Sequence, residues 1–357
     1  MSRAARAIID TRALQHNLRR IRELAPGRRV MAVIKANAYG HGIVPVARAL
    51  AAADAFAVAC TDEALAVRAA GLPNRIVLLE GVFSADELAV AARENLEVVV
   101  HSPEQLAWLA AFHGGTVDVW LKIDTGMNRL GFRVEDTRAA WQRLQELPAV
   151  RKPVRLMTHL ANADDPDGTR TAEQLARFTA VTRDLPGERS IANSAGTLAW
   201  PESHADWVRP GLALYGVSPF AGRTGADEGL VPAMTMLTEL HAVKTVRRGE
   251  SVGYGGSWTA AQDTRIGVAA IGYGDGYPRH AGNGTPVLVN GQRVSLVGRV
   301  SMDMITVELG AQPQAKVGDP VELWGAALPV EQIAAAAGTV PYELLCGVTQ
   351  RVRFEVR

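Results

Sequence analysis

Cysteine is scarce in this chain: Cys60 and Cys346 are the only two in 357 residues, both inside apolar stretches. That excludes a disulfide-stapled fold, and with no Cys-x-x-Cys pair there is no sign of a structural zinc site, so no metal is expected. Neither sign of charge is in excess. Lys and Arg number 38 against 37 Asp and Glu, a net charge of +1, which leaves no basic surplus for nucleic acid or an anionic membrane. No apolar run reaches the roughly 18 residues of a membrane helix. The start, Met1-Ser2-Arg3-Ala4-Ala5-Arg6, is charged, with no apolar stretch of signal length behind it. Together with the few cysteines, this predicts a cytoplasmic protein with a small-molecule substrate and no nucleic-acid or membrane partner.

What is present is an alternation of short apolar runs and amphipathic stretches. Ala7-Ile8-Ile9 reads as a possible strand within residues 1–9, and Asp10-Thr11 offers caps to a helix whose Leu14, Leu18 and Ile21 recur at helical spacing. Strands are then expected at 30–35, 56–59, 75–79, 97–100, 117–123, 154–158, 189–192 and 212–215, with helices at 61–70, 84–94, 102–112, 135–146 and 170–183. The strands are continuously apolar rather than alternating, the mark of a parallel sheet buried on both faces. Eight of them predict a (β/α)8 barrel over residues 10–225. A doubly wound sheet is the competitor, but no Gly-x-Gly-x-x-Gly or Gly-x-x-x-x-Gly-Lys turn follows any strand. After the polar loop around Ala221–Glu228 the pattern changes to short runs joined by turn signals such as Gly255-Gly256, Gly274-Asp275-Gly276, Asn283-Gly284 and Asn290-Gly291. Residues 226–357 therefore read as a mainly antiparallel β domain, with helices only at Val330–Ala337 and Tyr342–Leu345.

Polar clusters fall where barrel strands end, which is where barrel enzymes place their chemistry. The run Val30-Met31-Ala32-Val33-Ile34 stops on Lys35 and drops into Ala36-Asn37-Ala38-Tyr39-Gly40-His41-Gly42. A lysine at the mouth of a buried strand is partly desolvated, which favours the neutral, nucleophilic amine of Schiff-base chemistry. Lys122-Ile123-Asp124-Thr125-Gly126-Met127-Asn128-Arg129 ends the fifth strand, Thr158-His159-Leu160-Ala161 the sixth and Asn193-Ser194-Ala195-Gly196 the seventh. Arg209-Pro210-Gly211 enters the eighth. A lone His159 would read as a core histidine; five clusters on one rim do not read as packing. Ser194 opening a short helix, the close backbone approach allowed by Gly211, and the hydroxyls of Tyr39 and Tyr342 suit a phosphate.

These strings resemble the alanine racemases over nearly the whole chain, from Ala7 to about Arg353. The shared motifs are the lysine segment, Lys-x-Asp-Thr-Gly-Met-x-Arg-x-Gly (Lys122 to Gly131), His159-Leu160, Asn193-Ser194 and Arg-Pro-Gly-x-x-x-Tyr-Gly (Arg209 to Gly216). In the second half they are Val252-Gly253-Tyr254-Gly255, Gly272-Tyr273-Gly274-Asp275-Gly276-Tyr277 and Gly298-Arg299-Val300-Ser301-Met302-Asp303. The resemblance implies a pyridoxal 5'-phosphate barrel joined to a β domain, working as a head-to-tail homodimer whose β domain completes the partner's site. It implies interconversion of L- and D-alanine, to supply or degrade D-alanine, which peptidoglycan contains.

The same resemblance makes Lys35 the lysine that carries the cofactor and serves as one base, matched to D-alanine. Tyr254 from the partner chain is the other, matched to L-alanine. A tyrosine ordinarily keeps its proton up to about pH 10, so it needs cations nearby to serve as a base. Arg209 is implied at the ring nitrogen, where a guanidinium does not readily give up a proton, with His159 hydrogen-bonded to it. Arg129 and the Met302 backbone are implied at the substrate carboxylate, and Lys122 is implied as a carbamylated lysine orienting Arg129. Tyr39, Ser194, Gly211, Leu212 and Tyr342 match the phosphate positions, and Asp164, Tyr273, Arg279 and Arg299 an entrance channel. Three positions depart from the family pattern: Ser301 where cysteine occurs, Gly196 where alanine is common, which predicts a looser phosphate loop, and a C-terminus lacking a proline. The alternatives are a broader amino-acid racemase, a barrel decarboxylase and a non-catalytic cofactor-binding module. A decarboxylase would carry an acidic residue in place of Arg209 and a cysteine in its β domain. A binding module would have no use for Tyr254 or the long β half.

Overall fold

The protein is described here from a computed structural model, which covers residues 3–357. The chain forms two compact units. One comprises Gln15–Leu214 with Pro219–Ala221; the other comprises the N-terminal residues through Leu14, Tyr215–Ser218 and Gly222–Arg357. Among the described residues no helix is long and apolar enough to cross a membrane.

In chain order the strands begin with β1 (Arg6–Ile9), which belongs to the second unit. The first unit holds β2 (Arg29–Val33), β3 (Ala55–Val58), β4 (Arg75–Leu78), β5 (Leu96–Val100), β6 (Val117–Asp124), a two-residue β7 (Phe132–Arg133) beside β6, β8 (Val150–Met157), β9 (Arg189–Ser190) and β10 (Trp207–Val208). All pair in parallel in the order β5-β4-β3-β2-β10-β9-β8-β6, and β6 pairs back onto β5. That last pairing closes an eight-stranded barrel. β3 and β5 are buried along their whole length, as expected of strands covered on both faces.

One expected strand is misplaced in the sequence reading. Leu212–Tyr215 is a 3-10 turn, and the eighth barrel strand is the two-residue β10. All four side chains of Leu212–Tyr215 are buried, and a short apolar run buried on every side shows no period by which strand and helix can be told apart. Arg209 therefore follows the eighth strand rather than preceding it.

At the N-terminal ends of the strands the barrel floor is charged. Trp120 and Trp207 meet edge to face at 6.1 Å, and Arg29 and Arg75 lie over the Trp207 ring at 4.4 and 4.7 Å. Arg155 bonds Asp118 (2.9 Å) and Glu188 (3.2 Å), the indoles donate to Glu97 (2.7 Å) and Glu188 (3.0 Å), and Glu97 also takes Arg75.

In the second unit the thirteen-residue strand Met234–Val246 is the spine. It pairs antiparallel with β1, Thr264–Ala269 and Pro320–Trp324, while β1 pairs in parallel with Arg353–Val356. The unit is thus mainly antiparallel, and the helices Val330–Ala337 and Pro341–Cys346 complete it.

Candidate active site

Lys35 stands two residues past β2, at the head of an unusual turn. Ala36, Asn37, Ala38 and Tyr39 all take positive φ, at 52°, 52°, 55° and 51°. Left-handed backbone is costly for residues with a Cβ, so this turn has to be held. Asn37 Oδ1 accepts the Ile43 amide (2.8 Å), and the Glu63 carboxylate accepts the amides of Asn37 (3.4 Å) and Ala59 (2.8 Å). The turn delivers the Tyr39 hydroxyl to Gly211. A Cβ on Gly211 would collide with that hydroxyl and lie 3.1 Å from Tyr39 Cζ, so any larger residue there must move the tyrosine. Ser194, capped into its short helix by Asn193, accepts the amides of Gly211 (2.9 Å) and Ala213 (3.2 Å). Its hydroxyl hydrogen is left to donate. Tyr39, Ser194, Gly211 and buried Leu212 thus sit together. At Gly196 the expectation of a looser loop is corrected: a Cβ there would lie 3.1 Å from both Leu160 and Ser203, so glycine marks close packing.

The second group in the barrel is cationic. Lys122, in β6, is buried, and its ammonium is pushed down to about 8 by burial and then by Arg209, Arg129 and Lys35, with Glu80 opposing. Burial also holds His159 well below its ordinary value, helped by Arg209, Lys122, Arg129 and Lys35, so the imidazole is neutral. Arg209 is buried and drawn down to about 10 by burial. Its hydrogen bonds run to Ser190 Oγ (2.7 Å), Thr158 O (2.6 Å) and Ile191 O (3.2 Å), not to His159 as expected. Lys35 has its Nζ 4.0 Å from Glu80, with 37% of the side chain exposed. Lys35 is thus partly exposed, whereas Lys122 is buried. Arg129 is exposed on the loop after β6, and Asp164 is exposed on the loop after β8.

The remaining candidates lie in the second unit. Tyr254, 70% exposed, opens the turn Tyr254–Gly256, and a Cβ on Gly255 would meet the Arg299 guanidinium at 3.4 Å. Tyr273 and Gly274 donate their amides to the carbonyls of Ser301 (3.0 Å) and Met302 (2.9 Å). Tyr254 and Arg299 therefore form one neighbourhood, and Tyr273 and Met302 another. Arg279 is exposed, and Tyr342 sits in the first turn of Pro341–Cys346.

Sequence reasoning missed Glu80, although a carboxylate directly after the apolar run Ile76-Val77-Leu78-Leu79 was a signal of the kind that picked out Lys35. It also missed Glu63, Thr125 and Gln174, which touch the site through backbone or hydroxyl groups and leave no pattern in sequence.

The donor set of the barrel site suits an anionic group. Four cations act on neutral His159, Glu80 opposes them at Lys122, and the hydroxyls of Tyr39 and Ser194 flank a glycine whose added Cβ would displace the Tyr39 hydroxyl. Known proteins resemble the chain over nearly its whole length. Residues 9–219 match the family described as alanine racemase, N-terminal domain, and residues 233–356 its C-terminal domain. The chain is 54% identical to the alanine racemase of Shewanella amazonensis, over 97% of each chain, and 52% identical to that of Yersinia pestis, over 99% of each. It superposes on the biosynthetic alanine racemase of Pseudomonas aeruginosa with a TM-score of 0.97 at 48% identity, covering 99% of each chain. The chain belongs to the alanine racemase family, a family of isomerases.

Proposed function

We propose that the chain performs its family's reaction, the interconversion of L- and D-alanine, with Lys35 and Tyr254 as the two bases and pyridoxal 5'-phosphate held in the barrel. The observation that carries this is the cationic group of Lys35, Lys122, Arg129 and Arg209 around a neutral His159. Like charges that act on one another are unfavourable unless anions lie among them, and a phosphate, a phenolic oxygen and a substrate carboxylate are such anions. When bound, the cofactor supplies an electron-withdrawing ring that makes the α-hydrogen of an attached amino acid acidic.

The rest falls to the chain. Tyr39, Ser194, Gly211, Leu212 and Tyr342 hold the phosphate. Arg209, fixed by three hydrogen bonds, keeps its own protons at neutral pH and so offers the ring nitrogen a hydrogen bond rather than a proton. Arg129 grips the substrate carboxylate with its two-pronged guanidinium, and the Met302 backbone donates to the same group. His159, being neutral, adds no charge to the group. Lys122 at about 8 is partly unprotonated near neutral pH, so it is a competent nucleophile for carbon dioxide. The resulting carbamate would place an anion among the arginines. Tyr254 is exposed on the β unit, free to serve a second copy in a homodimer. Asp164, Tyr273, Arg279 and Arg299 line the way in and favour small substrates.

Racemisation removes a proton from one face of a planar centre and returns it on the other, so it needs a base on each face. Tyr254→Phe removes one of them. In deuterated water the loaded variant should exchange the α-proton of D-alanine, through Lys35, much faster than that of L-alanine. A placed general base is worth about 10²–10⁴-fold, so NMR will read the asymmetry. Equal exchange from both enantiomers would mean that one base serves both faces.

A further inference from the structure

The helix Arg170–Thr182 packs Thr171, Gln174, Leu175, Phe178 and Thr182 inward. Gln174 is only 3% exposed, and a buried amide is tolerated only when its donors and acceptor are met. All are. Oε1 accepts the Ala161 amide (2.9 Å), and Nε2 donates to the His159 carbonyl (3.1 Å) and to Thr125 Oγ1 (3.2 Å). Because a backbone carbonyl only accepts and a backbone amide only donates, the orientation of this amide is fixed. Thr125 Oγ1, which accepts from Gln174, shares a 2.8 Å hydrogen bond with Thr158 Oγ1 in which either hydroxyl can donate. The carbonyl of Thr158 in turn accepts from Arg209 at 2.6 Å. Thr125, Thr158 and Arg209 are all buried, so water does not offer substitute partners.

One side chain on an outer helix therefore ties together the ends of β6 and β8 and reaches Arg209 through two threonines. We propose, on the assignment of Arg209 and His159 to the cofactor site given above, that Gln174 is a positioning residue for the racemisation. It fixes the backbone from the His159 carbonyl to the Ala161 amide, and the pair of threonine hydroxyls beside the Thr158–Arg209 bond. It touches none of the phosphate-holding residues.

The test uses Gln174→Met, which keeps length and volume but makes none of the three bonds, and Thr125→Val, which breaks the hydroxyl pair without altering the helix. In the apoprotein, amide exchange across residues 158–163 should quicken by about tenfold in Gln174→Met, with residues 36–42 unchanged. In the loaded enzyme kcat should fall by about tenfold, while KM for alanine and apoprotein affinity for pyridoxal phosphate stay within about threefold. The two substitutions should be non-additive, because they cut one chain of bonds. A folded Gln174→Met enzyme with kcat within twofold of the parent overturns the proposal. So does a parallel loss of cofactor affinity, melting temperature and exchange protection across the whole barrel, the mark of general destabilisation. Should Gln174→Met fail to fold, Thr125→Val alone decides, since loss of kcat at unchanged cofactor affinity is still required of it. A parent enzyme that does not racemise alanine would instead refute the function proposed above, leaving the exchange result to stand by itself.

Discussion

Ala36 and Ala38 hold left-handed backbone that alanine does not favour, within a run of four such residues after Lys35. Nothing in their side chains announces it. The string Lys35 to Gly42 shows a small, glycine-bearing loop after an apolar strand, which is enough to find the lysine, but the hand of the turn comes from Glu63 and Asn37 bonding backbone amides. Its consequence is the contact between Tyr39 and Gly211. Gly211→Ala should push the Tyr39 hydroxyl aside and weaken apoprotein binding of pyridoxal phosphate by about tenfold, consistent with the cost of losing a hydrogen bond to a charged group. A fluorescence titration that shows unchanged affinity would remove Tyr39 and Gly211 from the phosphate site. The two lysines make a sharper test. Lys122 is the one whose ammonium is pushed down to about 8, yet Lys35 is the one accessible beside Glu80. Borohydride reduction of the loaded protein should fix the cofactor on Lys35, and recovery of label on Lys122 would contradict the assignment.

Among the elements, the long barrel strands were legible because burial on both faces writes continuous apolar runs. β10 was not legible, because two residues make no pattern and Leu212–Tyr215 imitates a strand by being wholly buried. The rim clusters were legible as polar residues following apolar runs. Gln174 was not, since a polar residue on an amphipathic helix is ordinarily solvated, and only the packed barrel shows it facing in. The floor network gives an element-level prediction about acid. Burial raises the Asp118 carboxyl, but Arg155 and Arg151 outweigh it, and the net position is below the ordinary range. Glu188 is likewise raised by burial and brought lower overall by Trp207 and Arg29. A carboxylate depressed in the folded state adds stability that is present above its unfolded pKa and lost as pH falls through the folded value. The barrel should therefore lose stability below about pH 4. Glu188→Gln should lower the melting temperature at neutral pH and make the acid loss shallower. A variant that melts with the parent's pH slope would show that the floor charges are not coupled to barrel stability.

At the scale of the whole molecule, the residues proposed for the chemistry are divided between the two units. The barrel carries Lys35 and the cationic group; the β unit carries Tyr254, Met302 and Tyr273, all substantially exposed in a single copy. Side chains with site roles lying open on a surface are what a shared site requires of each subunit. If each site takes Lys35 from one copy and Tyr254 from the other, Lys35→Ala and Tyr254→Phe damage different halves of it. A mixed dimer then holds one intact site and one doubly damaged site. The decisive measurement is the racemase activity of the two inactive variants after mixing, with subunit exchange followed by an independent label. Statistical mixing of equal amounts predicts recovery of about a quarter of the parent activity. Complete exchange with no recovery would contradict the claim that Lys35 and Tyr254 of different chains are the two bases of one site.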